Sequence, residues 1–161
     1  GLTYPLLAYP NKVSNFQPPF GFTLDDFDRV QRENPDEAAA ILWLRSAPDG
    51  VILEATGNPY SSVGRISIYS GLPTILGWGN HEGQWRGSDF QGILLQRKDD
   101  VETLYTTPDW QTMQTILESY DVRYVIVGNL ERSSYRVNEA KFNNYLRPVF
   151  QQGSITIYEV P

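Results

Sequence analysis

The chain has 161 residues and a formal net charge of −6, from 13 Lys/Arg and 19 Asp/Glu, with 40% hydrophobic, 20% charged and 13% aromatic residues. That length suits one folded domain, the composition is too apolar for a disordered chain, and an acidic balance without any Lys/Arg run argues against nucleic acid as a partner. Zero Cys excludes disulfides, zinc-thiolate sites and Cys nucleophiles.

Residues 1–22 carry Pro5, Pro10, Pro18 and Pro19 among Tyr4, Tyr9, Phe16, Phe20 and Phe22. Prolines favour extended backbone and the rings seek a surface to cover, so an extended aromatic arm is expected over 1–22, with one α/β domain at 23–161. The abrupt start Gly1-Leu-Thr-Tyr-Pro reads as a piece of a longer protein. No window has the ~18–20 apolar residues of a membrane span, and residues 1–20 lack the pattern of a signal peptide. The chain by itself is therefore expected neither to span a membrane nor to be exported unaided.

Thr23, with Asp26 three residues on, resembles a weak capping box that starts a helical turn. Asn34-Pro35-Asp36-Glu37 combines a cap, an early Pro and acids at the positive end of the helix dipole. A helix should follow through Ala47, burying Ala38, Ile41, Leu42 and Leu44 and stopped by Pro48-Asp49-Gly50. Val51 to Ala55 reads as a buried parallel strand, in which Glu54 either faces solvent or belongs to a site. Residues 56–64 are a loop by composition. Residues 65–70 fit a strand nearly as well as a helix, but Ser61 or Ser62 as cap and Gly71 just past the end favour a short helix. Neither G-x-G-x-x-G nor G-x-x-x-x-G-K-[ST] occurs, which excludes those nucleotide-binding loops.

Thr74 to Leu76 reads as a short strand leading into a glycine-rich loop, Gly77-Trp-Gly-Asn-His-Glu-Gly-Gln-Trp-Arg-Gly87. Glycine brings no side chain to bury and loses the most backbone freedom on folding, so core filling does not explain this density. In an open parallel sheet the loop would lie beyond the carboxyl ends of the strands, where ligands bind. The candidate ligand-binding residues are Trp78, Asn80, His81, Glu82, Trp85 and Arg86, with Glu54 at the same edge. A blander reading has the tryptophans plugging the loop and Glu82 pairing with Arg86 at i, i+4.

Residues 88–99 read as a connecting segment, and Asp99-Asp100 as the cap of a short helix over 101–106. Trp110, Met113, Ile116, Leu117 and Tyr120 recur at helical spacing behind Thr107-Pro108-Asp109, predicting a helix over 108–120. Tyr124 to Val127 is a β-branched strand, 129–135 a loop at the same sheet edge, and 138–146 a helix capped by Asn138 with Phe142, Tyr145 and Leu146 inward. Residues 147–151 and 154–160 form a hairpin joined at Gln152-Gly153. The expected fold is α/β: a mostly parallel open sheet, Rossmann-like, with helices on both faces and an antiparallel C-terminal hairpin.

His81 and Glu82 could form an acid/base pair. However, His81 is the only His, Trp85 stands where H-E-x-x-H needs a second one, and G-x-S-x-G is missing, so neither a zinc set nor a nucleophile elbow is formed. No catalytic residue, metal or cofactor is expected of this chain.

The stretch Arg65-Ile-Ser-Ile-Tyr-Ser-Gly-Leu-Pro-Thr-Ile-Leu-Gly-Trp-Gly-Asn-His-Glu-Gly-Gln-Trp-Arg-Gly resembles the soluble tail of the Chlor_Arch_YYY family, large multi-pass membrane proteins of bacteria and archaea. The likeness extends to Thr23-Leu-Asp, Ala39-Ala-Ile-Leu-Trp-Leu, Tyr124-Val-Ile-Val-Gly-Asn-Leu-Glu-Arg, Lys141-Phe and Ile157-Tyr-Glu-Val, and so covers nearly the whole chain from about Tyr4. The resemblance implies a domain on the extracytoplasmic side of the membrane, just after a last transmembrane helix, with its own transmembrane region as partner. More distantly it implies kinship with membrane glycosyltransferases that use polyprenyl-phosphate sugars, whose catalytic acids lie in loops between membrane helices, outside these residues. In oligosaccharyltransferases a soluble tail helps bind the acceptor through a Trp-Trp-Asp-Tyr-Gly motif, which this sequence does not contain. By analogy of place, Trp78 and Trp85 would stack on a polyprenyl-linked sugar or glycan acceptor, His81 and Glu82 would bond its hydroxyls, and Arg86 would meet a phosphate or carboxylate. The other reading is a structural module that docks on its own membrane helices through the aromatic arm.

Overall fold

The computed structural model describes residues 3–13, 17, 21, 23, 25–87 and 90–161. Its elements run α1 (Thr3–Lys12), α2 (Phe27–Glu33), α3 (Pro35–Ser46), β1 (Val51–Leu53), α4 (Arg65–Ser70), α5 (Gly79–Arg86), α6 (Gln91–Thr106), α7 (Trp110–Ser119), β2 (Val122–Val127), α8 (Asn129–Ser134), α9 (Glu139–Tyr145), β3 (Arg147–Gln152) and β4 (Ile155–Glu159).

β2 organises the layers. Its side chains alternate, sending Tyr124 and Ile126 to one face and Val125 and Val127 to the other, all of them buried. The first face meets Ala40, Ile41 and Leu44 of α3, Phe27 and Val30 of α2 and Ile66 of α4. The second meets Val101, Leu104 and Tyr105 of α6, Met113 and Leu117 of α7 and Phe142 of α9. Each of these buried aliphatic side chains contributes on the order of 1.5–3 kcal/mol, which is why the strand needs a helical layer on both sides. Tyr105 is fully buried, and its hydroxyl is satisfied by donating to the Ile126 carbonyl at 2.8 Å.

The sheet order is β1-β2-β4-β3, with β1 and β2 parallel and both β2·β4 and β3·β4 antiparallel. The expected mostly parallel, Rossmann-like sheet is therefore corrected to a mixed one. The C-terminal hairpin is not an appendage: β4 inserts beside β2 and takes the place a further parallel strand would occupy. The expected strand over 74–76 contributes a single parallel bridge, Thr74 to Ile52. Arg97 Nη1 donates to the Ile75 carbonyl at 3.1 Å, using an acceptor that a continuing ladder would need.

Several expected loops are helical. Residues 3–12 form α1 rather than an extended arm: Pro5 sits in the first turn, where an N–H would have no partner, and Pro10 falls in the last turn. The rest of the expected arm lies largely outside the described residues. The segment 88–99 is not a connector, because α6 runs from Gln91 through Thr106 with Asp99 and Asp100 inside it. There Asp100 accepts a hydrogen bond from the Tyr120 hydroxyl at 2.6 Å rather than capping. Residues 129–134 form α8, whose Glu131 side chain turns back to accept from the Gly128 N–H at 3.0 Å. Tyr145, expected inward, is half exposed and stacks on Trp110 with ring centroids 4.4 Å apart.

Candidate functional site

β1, β2 and the bridged segment through Thr74 all point their carboxyl ends to one edge, and the residues after them build the site. The strand-like segment continues to Trp78, which bridges Gly57 in parallel, and then turns into α5. The expected loop 77–87 is thus a helix. It starts because the Trp78 carbonyl accepts from the His81 and Glu82 N–H groups, while Glu82 Oε1 accepts from the Gly77 N–H at 3.1 Å. At the glycines, side chains of α6 come close. A Cβ on Gly79 would lie 2.9 Å from Leu94 Cδ1, and one on Gly83 would lie 2.9 Å from Gln91 Nε2. Both contacts are with the ends of flexible side chains, so a Cβ at either glycine would push the Leu94 or Gln91 side chain aside.

Trp78, His81, Glu82, Trp85 and Arg86 converge on one cavity of about 430 Å³, floored by Gly64, Ser67 and Ile68 of the α4 region. Trp78 is fixed by its indole N–H, which donates to the Val63 carbonyl at 3.0 Å. The His81 ring meets it edge-on at 5.4 Å. Trp85 is the free wall, 88% exposed. Glu82 Oε2 lies 3.8 Å from Arg86 Nε and 4.0 Å from Arg97 Nη1, so the i, i+4 pair forms, and the Arg86 guanidinium also covers the Phe90 ring at 4.9 Å. Asn80 is exposed and does not line the cavity.

Glu54 is elsewhere. It is neither solvent-facing nor part of the cavity: it is buried, and its carboxylate accepts from the Ile66 N–H at 3.0 Å and the Ser67 N–H at 2.9 Å. It thereby holds the first turn of α4, whose next residues floor the cavity. Burial pushes its pKa up to about 7, against the opposing pull of those N–H groups and of Arg65. Arg65 itself gathers three acids, with Nε on Glu37 at 2.6 Å, Nη1 on Glu131 at 3.4 Å and Glu54 at 4.0 Å. Burial pulls the Arg65 pKa down, but the charges of Glu131, Glu37 and Glu54 more than reverse this and leave it above its ordinary value. Its Nη2 is the one buried side-chain nitrogen or oxygen without a hydrogen-bond partner among the described residues. Glu131 also accepts from the Ala55 and Gly128 N–H groups, at 3.1 and 3.0 Å. One guanidinium so ties α3, β1, α4 and α8 together at the sheet edge.

Sequence reasoning missed Tyr60 and the Arg65 cluster. Tyr60 has φ 59, a left-handed backbone that is uncommon outside glycine, and its exposed ring packs on Trp78 at 5.3 Å and His81 at 5.2 Å. Nothing local in Asn58-Pro-Tyr-Ser signals this contact. Next to the cavity lies a second, polar cleft of about 900 Å³ that shares Trp78 and Ile68 with it.

The cavity can stack a ring-shaped ligand on indole faces and bond its periphery to an imidazole, a carboxylate and a guanidinium. Among the described residues no three His, Asp or Glu are grouped to hold a metal ion, and no helix is long and apolar enough to cross a membrane.

No family model matches the chain, and no curated protein matches it. Among solved structures the chain is similar to the C-terminal globular domain of oligosaccharyltransferase from Archaeoglobus fulgidus. The identity is 13% and the TM-score 0.48, with 76% of this chain and 95% of that domain covered.

Proposed function

We propose that this chain is an extracytoplasmic substrate-binding or regulatory domain of a glycosyltransferase-like membrane protein, and that it holds a sugar at the cavity of Trp78, His81, Glu82, Trp85 and Arg86. The observation that carries the reading is the composition of that wall: apolar ring faces with a few polar groups at the rim, in a volume typical of small-ligand sites. A pyranose offers one C–H face to an indole and an equator of hydroxyls to His81 and Glu82. Arg86, half exposed, remains able to meet a phosphate or carboxylate. Membrane attachment and a polyprenyl-linked sugar or glycan acceptor as ligand are supported by the resemblance of residues 65–87 and the flanking motifs. Bond-making in the parent protein would belong to other parts of it.

The test is a ¹H–¹⁵N NMR titration of the domain with methyl glycosides at millimolar concentrations. Shifts at His81 and at the Trp78 and Trp85 indoles are expected, reduced in Trp85→Ala. Unmoved resonances around His81 with every sugar would overturn the reading.

A second reading, a module that docks on its own membrane helices, draws on Tyr4 and Leu6 of α1, which are 77% and 73% exposed. Sedimentation at two concentrations tests it. Self-association that vanishes in Tyr4→Ser/Leu6→Ser supports docking through α1, and a monomer at both concentrations counts against it.

A further inference from the structure

We infer that the ligand is an oligosaccharide of at least two sugar units that crosses Trp78, with one ring in the apolar cavity and the next, an uncharged one, in the polar cleft beside it. This rests on the reading of the cavity as a sugar site and extends it to ligand length and charge.

Three features of the cleft carry the inference. It adjoins the cavity, since Trp78 and Ile68 line both, and Tyr60, exposed and packed on Trp78, lines the cleft side. A ligand that spans the two meets the Trp78 and Tyr60 rings between them.

Its charges are matched within the protein. Asp26 pairs with Arg29 at 2.9 Å and Glu37 with Arg65 at 2.6 Å, two acids against two guanidiniums. An anion entering the cleft would meet a carboxylate beside each guanidinium, and a cation would meet the reverse. A neutral polar ligand meets no such opposition. Nucleotides and free phosphates are therefore poor occupants of the cleft.

The remaining polar groups suit hydroxyls. Asn34 and Asn129 line the cleft from the starts of α3 and α8, are exposed, and make no side-chain hydrogen bond among the described residues. Each amide offers donors and an acceptor together, the pairing that neighbouring sugar hydroxyls require. Neither group is engaged in holding the fold, so both are free for a ligand.

The experiment is a calorimetric and NMR titration with neutral gluco-, manno- and N-acetylglucosamine oligosaccharides of one to four units, together with the matching monosaccharide phosphates. In at least one series the Kd should fall about tenfold or more between one unit and two, with shifts spreading from His81 to Asn34 and Asn129. The double variant Asn34→Ala/Asn129→Ala should lose that gain and leave monosaccharide affinity unchanged. Equal Kd for one and two units, a gain that survives in the double variant, or shifts at Asn34 and Asn129 that a monosaccharide phosphate reproduces would overturn the inference while leaving the cavity reading intact. Absence of binding by every sugar would overturn both.

Discussion

Arg65→Met tests the idea that a single guanidinium organises the sheet edge. Methionine keeps much of the side-chain length but removes the cation from among Glu37, Glu54 and Glu131. The side chains of Glu54 and Glu131 are fully buried, and that of Arg65 is only 11% exposed, so solvent cannot replace the lost charge. Breaking one side of such a buried cluster costs about 3–5 kcal/mol. For a domain of this size that corresponds to a midpoint lower by roughly 6–20 °C. The deficit should depend on pH. With the cation gone, buried Glu54 loses a charge that favours its ionised form and shifts further toward protonation, so the variant's stability is fullest at low pH and is lost as pH rises. Urea unfolding followed by circular dichroism at pH 5 and pH 8 should show the larger loss at pH 8, and Glu54→Gln added to Arg65→Met should recover part of it. A loss below about 1 kcal/mol, or one equal at both pH values, would refute this account of the cluster.

Glu54 alone gives a second pH signature. Its folded pKa of about 7 lies above the ordinary 4.5, so the stability it contributes is complete below 4.5 and disappears as pH rises through about 7. Relative to Glu54→Gln, the wild type should weaken by up to roughly 3 kcal/mol across that window, measured as the difference between two urea-unfolding series; parallel series would contradict it. Leu104→Ala removes a fully buried side chain between α6 and the sheet and should lower stability by about 2–5 kcal/mol in the same assay. Trp85→Ala, at an 88% exposed position, should change stability by less than about 0.5 kcal/mol while weakening sugar binding in the NMR titration.

The helices α3 and α7, the strand β2 and the final hairpin were legible because each carries its own periodicity and end signals. At α7, for example, Asp109 accepts from the Thr112 N–H at 2.9 Å. The helix α5 was not legible, since its glycines argue locally for a loop, while the side chains that pack against it, Leu94 and Gln91, come from another element, α6. The spacing Gly79-x-x-x-Gly83 was the available signal for such packing. Acids misled in α6 and α8 alike: Asp99-Asp100 suggested a helix start where none occurs, and Glu131 starts a helix that composition alone reads as loop. The cavity residues Trp78, His81, Glu82, Trp85 and Arg86 could be named together because they fall within one short stretch of chain. Glu54, Arg65 and Glu131 could not be joined, because Arg65 meets Glu131 across 66 residues of chain, a contact fixed only once β1 and β2 pair.

The insertion of β4 beside β2 bears on how the chain matures. Residues 155–159 lie well along the chain yet furnish an inner strand, so during synthesis the edge of Tyr124 to Val127 waits for its neighbour until they have left the ribosome. Throughout that interval a strand apolar on both faces offers open N–H and C=O groups to any passing chain. Nascent copies on one polysome would be the first at risk, and slower translation after residue 127 would lengthen the hazard.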